Sequence, residues 1–169
     1  VCDVIPDDVT VLFENLWWPG LRLIDFNLVE RFFASLNKTN VGIMLDTGHL
    51  MNTNRQLTSE AEGIGYVCRT VQALGSLKRL IKGVHLSCSL SGSYQQSFEK
   101  IVPLQVDYEA LLTHIGKIDR HQPFTVPEAE AILEAVQPQY LVHELFYDNL
   151  TDLGGKLRQQ QKACGLRSR

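Results

Sequence analysis

Four short apolar runs in this chain each carry, at or near their C-terminal end, a residue that a buried strand does not hold alone. VTVLFE closes on Glu14, VGIMLD on Asp46, LIKGVHLS carries His85, and QYLVHEL carries Glu144. Segments 9–14, 41–46, 82–87 and 140–145 are nearly continuously apolar and rich in Val and Ile. That is the pattern of strands in a parallel sheet covered on both faces.

Helical patterns separate the runs. Residues 24–36 carry Phe26, Val29, Phe33 and Leu36 on one stripe. In 59–80, Ser59 and Glu62 form a capping box ahead of a stripe of Ile64, Val67, Val71 and Leu74, with Leu77 and Ile81 beyond. Asp107 caps a helix over 107–116, Thr125 and Glu128 form a second capping box leading to Val136, and a last helix covers 151–163, loosened at Gly154 and Gly155. Residues 88–105, rich in Ser and Gln, read as a polar loop over a site. Repeated β/α order implies a parallel sheet.

The 169 residues favour one domain, 1–169. A net charge of -3 gives no general attraction to nucleic acid. No apolar run approaches the roughly 20 residues of a membrane span, and the first residues are not signal-like. The four cysteines lack any CxxC pairing, so they are expected as free thiols in a reducing, cytoplasmic compartment.

Parallel β/α units bring the C-terminal strand ends to one face, where such folds place their chemistry. Singly, a strand-end Glu caps a helix or pairs with Arg, and a lone His is hydrogen-bonded. Together Glu14, Asp46, His85 and Glu144 put three carboxylates in one place, which repel unless a cation lies among them. Carboxylate oxygens with an imidazole nitrogen suit Zn²⁺, Mn²⁺ or Co²⁺. His49 lies one step beyond Asp46. Asp119 and His121, one residue apart, have two equal readings. In an extended stretch both point at a metal; in a helix-ending turn His121 is exposed.

With these residues in view, VLFEN, LDTGH, VHLS and VHEL resemble the xylose-isomerase-like (β/α)8 barrels, which include sugar isomerases, epimerases and the endonuclease IV type of abasic-site nuclease. The resemblance implies metal ligation by Glu14, Asp46, His85 and Glu144, and a substrate or second-metal role for His49. Asp119-Arg120-His121 resembles the nuclease branch's additional metal triplet. The chain departs from that branch in Leu86-Ser87-Cys88-Ser89, and loop 88–98 lacks the arginine of the epimerases. A complete barrel needs about 250 residues, so the chain is expected to be the last four units, completed in a homo-oligomer or by a missing N-terminal half.

The resemblance implies, first, a divalent-metal-dependent isomerase or epimerase of a sugar or sugar phosphate. Glu14 and Glu144 would exchange the proton, His49 and Trp17 would contact the carbohydrate, and no organic cofactor would be needed. The alternatives are an abasic-site phosphodiesterase and an inactive metal-binding fragment.

Overall fold

In the computed structural model, which describes residues 5–36, 38–97 and 107–166, each apolar run contains a strand. These are β1 Val11–Glu14, β2 Val41–Asp46, β3 Ile81–Leu86 and β4 Tyr140–His143. They hydrogen-bond in the order β1-β2-β3-β4, all parallel. Parallel neighbours need crossover connections, and helices supply them. α1 Phe26–Ser35 joins β1 to β2, while α2 Thr47–Asn52 and α3 Glu60–Ala73 join β2 to β3. α4 Gly92–Ser97, α5 Tyr108–Ile118 and α6 Glu130–Val136 lie between β3 and β4, and α7 Leu150–Ala163 follows. The result is an α/β fold equivalent to about four units of a (β/α)8 arrangement.

Side-chain alternation divides the sheet. Ile43, Leu45, Val84 and Leu86 join one buried cluster with Ile64, Val67 and Val71 of α3 and Ile132 of α6. Asp46 and His85 are register partners, and with Glu14 they face the other way. Tyr140 and Val142, on that second face, are exposed. The stripe Ile64, Val67, Val71 and Leu74 is buried as the periodicity requires.

Several local expectations change. The 59–80 helix divides because Gly75 adopts φ +55°, and a 3-10 turn, Gly75–Leu80, leads into β3. Ser59 caps α3, and the Glu62 carboxylate turns back to accept from the Thr58 N–H and hydroxyl at 2.8 Å each. Thr125 and Glu128 form no capping box: the Thr125 N–H and hydroxyl both donate to Glu60, tying this turn to α3. Phe26 is exposed, so the inward face of α1 rests on Val29. Gly154 and Gly155 lie inside an unbroken α7 capped by Asn149. Within 88–105, residues 92–97 are helical and 98–106 lie outside the described residues. Cys68, Cys88 and Cys164 are free thiols, Cys2 lying outside the described residues. No helix among the described residues is long and apolar enough to cross a membrane.

One buried polar side chain fastens the second half. Gln160 of α7 accepts from the Phe124 N–H at 3.0 Å, donates to the Leu86 carbonyl at 2.8 Å and lies 2.9 Å from His143 Nδ1. Burial lowers the His143 pKa, leaving a neutral ring that accepts from the amide. Replacing Gln160 by Leu strands two buried backbone groups and is expected to destabilise the protein by about 3 kcal/mol. Urea denaturation checks this; an unchanged midpoint would show that the amide is dispensable.

Candidate metal centre

The tetrapeptide Asp46-Thr47-Gly48-His49 builds the centre of the site, and each residue has a separate task. Asp46 ends β2 and caps α2: its Oδ1 accepts from the His49 N–H at 2.6 Å, which leaves Oδ2 aimed elsewhere. The Thr47 hydroxyl donates to the Ser87 carbonyl at 2.7 Å and accepts from the Ser87 N–H at 3.0 Å, locking α2 onto the end of β3. A Cβ at Gly48 would stand 2.7 Å from Ser87 Oγ, so a larger residue there would force the Ser87 side chain to move. His49, on the first turn of α2, is thereby fixed beside Asp46.

A first cluster gathers Glu14, Asp46, His85 and Glu144, with one ligand atom from each lying within 4.8 Å of the others. His85 Nδ1 is 3.4 Å from Glu14 Oε1 and 2.9 Å from Glu144 Oε2. Two carboxylate oxygens, Asp46 Oδ2 and Glu144 Oε2, are buried there. Glu144 Oε2 is held as an ion pair by His85 Nδ1, so Asp46 Oδ2 is the oxygen left without a partner. Buried orphan oxygens are rare and costly. Three carboxylates and one imidazole converging on one point form an oxygen-rich donor set that fits a divalent cation.

His49, Asp119 and His121 form a second cluster, all three buried. His49 Nε2 lies 3.1 Å and His121 Nε2 2.7 Å from the same oxygen, Asp119 Oδ2. The opposite nitrogens face backbone carbonyls: His49 Nδ1 that of Asn15 at 2.8 Å, and His121 Nδ1 that of Glu144 at 3.2 Å. A carbonyl only accepts, so each Nδ1 carries a proton; Nε2 then donates to Asp119 when the ring is protonated and offers its lone pair to a metal when the ring is neutral. Lone pairs facing a carboxylate need a proton or a metal between them, and a carbonyl behind the ring is the usual support of a ligating histidine. The clusters adjoin, because Glu14 Oε1 is 3.4 Å from both His85 Nδ1 and His49 Nδ1.

Electrostatics carry the same message. Glu14 and Glu144 raise His85 to about 10 against the opposition of burial, and His85 holds Glu144 down at about 2. For His49, burial opposes protonation, but Asp119 and Asp46 outweigh it and raise the ring to about 9. Burial pushes Asp46 up to about 8. Burial also pushes Asp119 upward, yet His121 and His49 hold it below its usual range. Without metal, protons on the imidazoles supply the positive charge that a divalent ion supplies when bound.

All seven candidate ligands read from the sequence therefore converge. The even choice at Asp119 and His121 resolves toward convergence, but not through an extended stretch: His121 adopts φ +42°, and this left-handed turn brings the ring back over Asp119. His121 is buried rather than exposed. Trp17 lies against His49, with ring centroids 4.7 Å apart. The sequence reading missed Phe146, whose ring lies 4.4 Å from His121, and Asn15. Asn15 continues the β1–β2 ladder with its side chain, donating to the Asp46 carbonyl at 3.0 Å and accepting from its N–H at 2.8 Å. Its position directly after Glu14 was the only signal. Comparisons with protein-family models, with curated proteins and with solved structures found no match.

Metal uptake is expected to release protons, since His85 and His49 are protonated at neutral pH. Apparent affinity then rises with pH between 6 and 8, about tenfold per unit for each proton displaced. Calorimetry in buffers of different ionisation enthalpy reads the proton count, and a pH-independent affinity would contradict the assignment. Asp46→Asn keeps the helix cap and removes a charge that burial disfavours. The metal-free variant should melt at or above the wild-type temperature while binding metal about a hundredfold more weakly; thermal melts and metal titration check the two halves.

Proposed function

We propose that this chain contributes a two-centre metal site for hydrolysis of a small phosphodiester. The observation that carries the reading is the second buried cluster, which shares the reach of Glu14 with the first. A sugar isomerase needs only the four-ligand cluster, with His49 on the carbohydrate, and leaves Asp119 and His121 without a task. When bound, paired divalent ions supply an attacking hydroxide at neutral pH and stabilise the leaving oxygen.

The chain's own residues complete the proposed chemistry. Glu14, whose Oε1 is 3.4 Å from His85 Nδ1 and from His49 Nδ1, would orient a water and take its proton. Asp46, His85 and Glu144 hold one ion, and His49, Asp119 and His121 the other. Trp17 packs against His49 and Phe146 against His121, giving the second cluster an aromatic border. Phe146 also lines a cleft of about 420 Å³ shared with Lys117 and Arg120, whose positive charges suit an anionic substrate. A net charge of -3 favours a small diester over a long nucleic acid.

Isomerisation of a sugar or sugar phosphate is the second reading. It is favoured by Glu14 and Glu144 both closing on His85, a pair placed to act as base and acid. A parallel assay separates the two. With Mn²⁺ or Zn²⁺ restored, bis(p-nitrophenyl) phosphate should be hydrolysed, and Glu14→Gln should reduce the rate by about a hundredfold or more. Aldose–ketose interconversion without phosphodiester cleavage would instead establish the isomerase reading.

A further inference from the structure

The second cluster is seated on a polar clamp outside the ligand set. Asn52, the last residue of α2, is buried, and its Oδ1 accepts from the Ser91 hydroxyl at 2.7 Å and from the Ser89 hydroxyl at 2.9 Å. Ser91 Oγ itself accepts from Gln95 Nε2 at 3.0 Å, so its proton is directed to Asn52. The Ser91 hydroxyl, a donor here, fixes which end of the amide is oxygen. The amide nitrogen therefore faces Asp119 Oδ1, at 3.5 Å.

Ser89 grips the backbone on both sides of Asp119. Its hydroxyl accepts from the Arg120 N–H at 3.0 Å, and its one proton is shared between the Ile118 carbonyl at 2.8 Å and Asn52 Oδ1. One residue further out, Cys88 and Gln122 exchange backbone hydrogen bonds at 2.7 and 3.0 Å. Residues 88–91 thus form the seat on which 118–122 lands after the excursion through α4 and α5. That seat supports the left-handed backbone at His121, a strained conformation for a non-glycine residue.

We infer that Asn52 and Ser89 are positioning residues of the second cluster: by fixing one oxygen and both flanking peptides of Asp119, they aim its other oxygen at His49 Nε2 and His121 Nε2 and so set the affinity for the second divalent ion. The inference rests on the two-centre reading. Neither residue touches substrate or the reacting atoms. Their effect passes through Asp119, as outer-shell partners of metal ligands commonly act.

The test is titration of the metal-free chain with Co²⁺, followed by visible absorption and calorimetry. His121→Ala serves to identify the second ion's signal. In Asn52→Ala and Ser89→Ala the second-ion affinity should fall about ten- to a hundredfold with first-ion affinity unchanged. Ser91→Ala, which only releases the amide to turn over, should show a smaller loss in the same direction and keeps the test usable if the other variants fold poorly. Equal weakening of both ions, or unchanged second-ion affinity in folded variants, would overturn the inference while leaving two centres in place. A wild-type chain that takes up one Co²⁺ removes the two-centre reading and the inference together, and the stoichiometry alone distinguishes that failure.

Discussion

Negative charge at the C-terminal ends of the strands is the constraint around which this protein is organised. Glu14, Asp46, Asp119 and Glu144 converge with three imidazoles in a region where Asp46 and Asp119 are almost sealed from water. Ionised together and unbalanced, such groups would repel one another in a poorly screened environment. Positive charge must enter, as protons on His49, His85 and His121 or as divalent ions. The raised histidines and the unpartnered Asp46 Oδ2 are two views of that requirement.

The scaffold holds the charges in place by giving polar backbone and side chains second tasks. Asp46 is at once a helix cap and a candidate ligand, so forming α2 aims its remaining oxygen. The Asn15 side chain extends the sheet ladder, and its carbonyl sets the tautomer of His49. Glu144 presents its carboxylate to the first cluster and its carbonyl to His121 in the second. The two clusters are therefore built from neighbouring atoms of the same residues, with separate ligand sets. On the opposite face, Gln160 applies the same economy, joining α7 to β3 and to the turn at Phe124 with one amide.

Legibility in the sequence followed the range of the interaction. The strands were readable because four apolar runs of suitable length are separated by helical stripes, and burial of Ile64, Val67 and Val71 obeys a period intrinsic to the helix. Glu14, Asp46, His85 and Glu144 were readable because parallel β/α order forces strand ends together. Thr125 misled because its capping-box partner is local in sequence, whereas the Glu60 carboxylate that it binds lies on another helix. Asn52 and Ser89 gave no signal, since a buried Asn or Ser acquires meaning only from the residues opposite it.

The sequence by itself determined the β/α alternation, the face on which charge accumulates and the oxygen-and-imidazole chemistry of the first cluster, because periodicity and strand polarity are properties of short segments. Only the tertiary structure decided that His49, Asp119 and His121 share one oxygen, that Glu14 reaches both clusters, and that residues 88–91 seat the turn carrying Asp119. Those contacts join residues up to 71 positions apart, and their geometry depends on how crossovers and turns return the chain to the sheet, which no local pattern encodes.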